Sequence, residues 1–343
     1  MIRQAQLSNG IRVVMEPMDN LRSVSIGVWV NAGSVYEAGA DAGISHFIEH
    51  MVFKGTGRRS AADIAAEMDA VGGNLNAFTA KECTCFYAKV LDENLPLAVD
   101  MLSDITLHPA LDEQEMEKEK RVVVEEILMS EDSPEDKAFE TAGSAYYRGT
   151  ALASAILGTP ETVSAFTRDQ VLSYMARRYV TGNTVIACAG SFRPETLLPL
   201  LEEAFGDCPR GEGDMLKEKE PRAGKKWLFV QKDTEQVNAC LILPGYRLDT
   251  PENFALAVLS NALGGSMSSR LFQKIREELG LAYSVYTYPM AYRDTGAICL
   301  YFGSGEKQAA RTLELALTEL DKLRTGRLTE AEFLRGALEQ EEG

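Results

Sequence analysis

The sequence predicts an α+β protein made of two related domains, and three observations carry that expectation. At 343 residues the chain is longer than one ordinary hydrophobic core supports. Short runs with a period of two alternate with longer runs of helical period. A polar stretch rich in Gly, Pro, Lys and Glu, residues 209–226, divides the chain, and the order strand, strand, helix restarts after it. The division expected is therefore a first domain at 1–208, a linker at 209–226 and a second domain at 227–343, related by a degenerate internal repeat.

In the first part, 11–15 follows the turn Ser8-Asn9-Gly10 and reads as a strand. Residues 24–30 alternate, with Val24, Ile26, Val28 and Val30 on one face. A Gly-rich stretch ends near Gly43, and helices are expected at 44–53 and 61–71. Ser60 is placed to cap the second, and Gly72-Gly73 to stop it. Strands at 75–78 and 84–90 follow. Pro96 fits the first turn of a helix at 95–107. A helix dense in Glu and Lys covers 112–129, 130–135 breaks it, and helical sequence continues to Tyr147. A helix at 167–179, an apolar strand at 184–190 and a helix at 194–205 complete this part. Beyond the linker the pattern predicts strands at 227–231 and 237–243 and helices at 253–263 and 269–279. Strands at 281–289 and 296–302 and a helix at 305–323 follow.

Hydrophobic content of 45% and charged content of 25% fit a soluble globular protein. No run approaches the roughly 20 apolar residues that cross a bilayer. The first residues carry neither an apolar signal core nor an Arg-rich presequence, so the expected location is cytoplasmic, with no membrane partner. With 35 basic and 51 acidic residues the formal charge is -16. That charge argues against nucleic acid as a partner; it accounts for solubility, and it would also suit cationic peptides by steering them toward the surface. The cysteines, Cys83, Cys85, Cys188, Cys208, Cys240 and Cys299, form no Cys-x-x-Cys pair and are expected as reduced, mostly buried thiols.

The chemistry concentrates in His46-Phe47-Ile48-Glu49-His50. Positions four apart lie one turn apart on the same helix face, so His46 and His50 can offer two imidazoles to one metal ion. Glu49 sits beside that face, where a carboxylate can take a proton from a metal-activated water. Zinc suits this set, because it binds imidazole nitrogen and carboxylate oxygen. The chain has three histidines and two of them stand here; the third, His108, precedes Pro109 in a loop and reads as structural or solvent-exposed. A catalytic zinc takes a third protein ligand. The helix at 112–129 can supply it, and Glu119, Glu125 and Glu126 are the candidates, with Glu119 and Glu126 seven apart and nearly on one face.

These residues resemble a known family. His46-Phe47-Ile48-Glu49-His50, followed by Glu126 in Val124-Glu125-Glu126-Ile127, is similar to the inverted zinc motif of the pitrilysin, insulinase and mitochondrial processing peptidase family. Gly72-Gly73-Asn74-Leu75-Asn76-Ala77-Phe78-Thr79, Glu125-Glu126-Ile127-Leu128-Met129 and Ser269-Arg270-Leu271-Phe272 extend the resemblance along nearly the whole chain. It looks closest to bacterial members similar to the processing-peptidase catalytic subunit. The resemblance implies two α/β-roll domains, each a mostly antiparallel sheet with helices mainly on one side. It implies one Zn2+ per chain held by His46, His50 and Glu126, with Glu49 as the base that activates water and Glu119 as a carboxylate orienting a ligand histidine. Asn76 and Ala77 would lie on an edge strand that pairs with substrate backbone. Arg276 and Tyr283 would contact substrate near the scissile carbonyl. The partners implied are peptide substrates and an identical or related second subunit, a dimer completing the site. Family members continue for several elements past the position of Gly343, so the second domain is expected to be incomplete at its C-terminus. The activity implied is that of a zinc metalloendopeptidase; the alternative is a non-catalytic substrate-binding or scaffold subunit, since some members have lost the motif.

Overall fold

The computed structural model describes residues 1–214, 216 and 227–342. The chain folds as two compact units: residues 1–128 with 154–216, and residues 129–153 with the chain beyond 216.

The first unit is built on a six-stranded sheet in the order β1-β2-β6-β3-β5-β4. The strands are β1 (Arg3–Gln6), β2 (Arg12–Pro17), β3 (Ser23–Val30), β4 (Asn74–Thr79), β5 (Thr84–Leu91) and β6 (Thr184–Gly190). All neighbours are antiparallel except β2 and β6, which pair in parallel from Arg12↔Val185 to Pro17↔Gly190. The alternation in β3 decides which face is covered. Val24, Ile26, Val28 and Val30 are buried in the core, and Trp29 meets Phe78 edge-on at 5.6 Å on the opposite, partly exposed face.

Helices cover the apolar face: α1 (Ile44–Val52), α2 (Ala61–Ala70) and α3 (Leu95–Leu107), then α4 (Glu113–Asp132). Phe47, Ile48 and Met51 of α1 join Val99, Leu102 and Ile105 of α3 in the core. A capping box between Ser60 and Asp63 starts α2, as the sequence indicates. In the second unit lies α5 (Pro134–Tyr146), and the first resumes with α6 (Pro160–Ala165), α7 (Arg168–Arg178) and α8 (Pro194–Phe205).

The second unit has a three-stranded antiparallel sheet in the order β7-β9-β8, from β7 (Gln236–Pro244), β8 (Ala282–Ala291) and β9 (Gly296–Gly305). Its helices are α9 (Pro251–Ser260), α10 (Glu306–Thr325) and α11 (Glu330–Glu342), with π-helical stretches at Asn261–Gly265 and Phe272–Glu278. The order β7-β9-β8 repeats β3-β5-β4 of the first unit, with α9 in the chain position of α1. This is the internal repeat, and α9 carries no histidine. Leu263, Leu271, Ile275, Val285, Leu300, Phe302 and Leu315 form the core on one face.

Three features differ from the sequence expectation. First, residues 129–153 group with the second unit, whereas the sequence division kept them in the first domain. Phe139 of α5 stacks on Tyr286 and Tyr301, and the Tyr286 hydroxyl donates to Glu135. The second sheet is thereby covered on its other face too, and β9 is buried along nearly its whole length. Second, 227–231 forms no strand; Trp227 is 71% and Phe229 88% exposed. In the first unit the strand before β3 pairs with β6, not with β3. Among the described residues the second unit has no strand in the place of β6, so 227–231 has no ladder to join. Third, the first residues of the expected linker bond to the first unit, with the amides of Thr181 and Gly182 donating to the carbonyls of Pro209 and Gly211. Most of 215–226 lies outside the described residues. Among the described residues, no helix is long and apolar enough to cross a membrane.

Candidate metal centre

Helix α1 begins at Gly43, whose φ of 89° suits glycine, and a Cβ there would stand 2.6 Å from the carbonyl oxygen of Leu157. No N-cap side chain closes the helix. Instead Glu37, buried, accepts from the backbone N–H of Gly43 at 2.6 Å and of Ser45 at 2.9 Å. A carboxylate at this end also answers the helix dipole, and burial pushes its pKa up. Ser45 Oγ lies 2.8 Å from the Tyr174 hydroxyl of α7. The first turn of α1 is thus fixed at the residue before His46.

One turn apart on this helix, the rings of His46 and His50 meet edge-on with centroids 4.6 Å apart. Helix α4 brings in Glu126, whose Oε2 lies 3.7 Å from His46 Nε2 and 3.5 Å from His50 Nε2. Ligand atoms of these three residues all fall within 4.8 Å of one another. A tetrahedral zinc with bonds of about 2.0–2.1 Å would hold its ligand atoms about 3.3–3.4 Å apart. The two Glu126 contacts, at 3.7 and 3.5 Å, lie within a few tenths of an ångström of that spacing, and the donor set of two imidazoles and a carboxylate fits such an ion. Burial, and then the charge of His50, push the His46 pKa down to about 4, so its imidazole is neutral near pH 7 and its lone pair is available. The Glu126 side chain is 43% exposed, which leaves one side of the group open for water or substrate.

Glu119 and Glu49 occupy different places around this set. The Glu119 side chain is 5% exposed, and its Oε1 accepts from His50 Nδ1–H at 2.8 Å. That bond puts the proton on Nδ1 and leaves Nε2 to face Glu126. Lys54 Nζ lies 2.6 Å from the other oxygen, Oε2. Glu49 accepts at Oε2 from the Thr79 hydroxyl at 2.6 Å. Burial pushes the Glu49 pKa up, against the opposing pull of the Thr79 bond and of His50. Thr79 is the last residue of β4 and lies 3.3 Å from Thr84 across the hairpin.

The remaining candidates fall in two places. Asn76 and Ala77 lie on β4, which among the described residues pairs only with β5 and forms one margin of the sheet. The Asn76 side chain accepts from the Ala77 amide at 2.9 Å. Arg276 and Tyr283 belong to the second unit, where the guanidinium sits 4.5 Å from the Tyr283 ring centroid and 4.7 Å from that of Phe272. His108 ends α3 and is exposed. Sequence reasoning gives no role to Glu37, Lys54 or Thr79. Lys54 carries a signal, four residues after His50, and Thr79 closes the motif that starts at Gly72; Glu37 carries none.

Comparison with known proteins places this geometry. Residues 12–160 match the family model of insulinase, peptidase family M16, and residues 165–337 match that of the peptidase M16 inactive domain. The uncharacterized zinc protease YmxG of Bacillus subtilis is 42% identical over 343 residues, covering 100% of this chain and 83% of its own length. An uncharacterized zinc protease of Streptomyces coelicolor is 37% identical over 341 residues, covering 97% of this chain and 74% of its own. A crystal structure of a protease from Helicobacter pylori shares the fold with a TM-score of 0.92 at 21% identity, over 99% of this chain and 84% of that one. The chain therefore belongs to the insulinase family of peptidases, family M16.

Proposed function

We propose that the chain is a zinc-dependent endopeptidase that hydrolyses unstructured peptides or protein segments. The observation that carries this reading is the convergence of His46, His50 and Glu126 within 4.8 Å, with Glu49 on α1 beside the two histidines. The relatives' names as zinc proteases support both the metal and the reaction class. One zinc per chain, held by these three residues, would supply Lewis acidity, polarising a carbonyl and lowering the pKa of a water to about 7.

The chain's own groups account for the rest. Glu119 holds the His50 ring in the tautomer that leaves Nε2 free. Glu49 takes the proton from the attacking water and returns it to the leaving amine nitrogen. Its raised pKa brings it nearer the range in which a carboxylate can do both. The open side of β4, with Asn76 and Ala77, is the proposed place for an extended peptide to pair, which would take over the Ala77 amide now held by the Asn76 side chain. Arg276 and Tyr283 are the proposed donors to the substrate near the scissile carbonyl, and the working form is a dimer with an identical or related subunit.

Metal analysis of the purified chain, beside cleavage of a quenched fluorescent peptide with and without chelator, tests the reading. About one zinc per chain and chelator-sensitive cleavage are expected, with Glu49→Gln keeping the zinc and losing the cleavage. Retained turnover in Glu49→Gln would remove its role as base. Zinc without cleavage in the unaltered chain would favour a non-catalytic binding subunit.

A further inference from the structure

We infer that Lys54 is a positioning residue for the metal site, acting through Glu119 on His50; the inference rests on the zinc reading above. The observations are two contacts in a row and the burial of the group between them. His50 Nδ1 is 2.8 Å from Glu119 Oε1, Glu119 Oε2 is 2.6 Å from Lys54 Nζ, and the Glu119 side chain between them is 5% exposed. Lys54 follows α1 directly, with its backbone N–H donating to the carbonyl of Met51 at 3.1 Å. Its side chain, 32% exposed, reaches from solvent to the buried carboxylate.

A carboxylate with one anchored oxygen can still rotate and tilt. With its second oxygen held by an ammonium, rotation would break a charge-assisted bond. Oε1 then stays on Nδ1, the proton stays on that nitrogen, and the ring plane that aims Nε2 at Glu126 is kept. The position of Lys54 just past the C-terminal end of α1 adds to this, because a cation there is favoured by the helix dipole. Two helices are thereby tied at the metal: α1 through His50 and the turn that follows it, α4 through Glu119. The rival account is that Lys54 only neutralises a buried charge so that the unit folds.

The two accounts separate in a double-mutant cycle read as zinc affinity. Zinc dissociation constants of the full chain are measured by competition with a chromophoric chelator, for Lys54→Met, Glu119→Gln, the double variant and Lys54→Arg. Thermal unfolding of each metal-free form is recorded in parallel. Loss of a partner that orients a metal ligand costs about 10–100-fold in metal affinity, and that is the drop expected for Lys54→Met. The double variant is expected to bind zinc no more weakly than Glu119→Gln alone, and Lys54→Arg to keep most of the affinity. A folded Lys54→Met with unchanged affinity overturns the inference, as does a loss that multiplies in full with that of Glu119→Gln. Should Lys54→Met not fold, the double variant, which leaves no unpaired buried charge, is compared with Glu119→Gln alone, and a further drop overturns it. If the unaltered chain binds no zinc, the metal reading fails and this inference with it; if it binds and Lys54→Met matches it, only the inference fails.

Discussion

Thr79→Val is the perturbation that isolates the proposed base from the metal. The Thr79 hydroxyl bonds Glu49 and Thr84 and none of the three proposed ligands, and valine keeps the shape of the side chain while removing its hydroxyl. The bond lost is an O–H to carboxylate contact of 2.6 Å, inside the range of charge-assisted bonds. Such bonds contribute about 1.5–3 kcal/mol. If all of that served to hold Glu49 over the reacting water, kcat would fall by about 10–150-fold, at 1.36 kcal/mol per decade. Some of the loss returns, because without the Thr79 donor Glu49 becomes more basic, so a fall of about 10–50-fold is expected. KM should move little, since the backbone of β4 is untouched, and Thr79→Ser should restore the rate. The fold has a spare anchor at this hairpin, as the Thr84 hydroxyl still donates to the carbonyl of Ala32 at 2.9 Å. The assay is steady-state cleavage of a quenched peptide with zinc content measured on the same sample. Unchanged kcat at full zinc would show that Glu49 is held by something other than Thr79. Loss of zinc would show that the hydroxyl serves the metal, and the reasoning would fail in either case.

Two further predictions concern stability. Gly43→Ala forces a φ of 89° on a residue with a Cβ and drives that atom to 2.6 Å from the Leu157 carbonyl; a loss of about 2–4 kcal/mol is expected, with weaker zinc binding, and an unchanged denaturation midpoint would refute it. In the second unit, the bidentate pair of Arg270 with Glu332 lowers the Glu332 pKa to about 2. A carboxylate depressed in the folded state stabilises above its unfolded pKa, about 4.3, and loses that contribution as pH falls toward 2. Glu332→Gln should therefore destabilise by about 1–3 kcal/mol at pH 7, and the gap to the unaltered chain should close steadily below about pH 4. A gap that is constant with pH would remove the ion pair from the explanation.

The proposed metal ligands on α1 were legible because helical spacing alone puts His46 and His50 on one face. Glu126 was not legible that way: α4 also carries Glu119 and Glu125, and only the family resemblance chose among them. Geometry separates them, since Glu119 meets the far nitrogen of His50 and Glu126 meets the near ones. Thr79 reaches Glu49 from another element, and although Lys54 stands one turn after His50, its partner Glu119 lies on α4, so no local period names either contact; Glu37 bonds the nearby Gly43 and Ser45 amides through a loop that has no period to read. The same holds for the fold. The sequence reads as helical from the break at 130–135 to Tyr147, and α5 is there, starting already at Pro134, but helical period says nothing of which core receives Phe139. Residues 227–231 have strand composition, yet a strand exists only where a partner offers its backbone.

The seat of β6 governs how the first unit is assembled in time. β2 and β3 adjoin in the chain, yet β6 lies between them in the sheet, and it is encoded roughly 150 residues later. At about 5–20 residues per second, a ribosome takes on the order of 10–30 s to deliver it. Until then β3 keeps an open ladder and β2 has only β1 beside it. Such edges recruit other strands, so slower synthesis prolongs the nascent unit's exposure to aggregation.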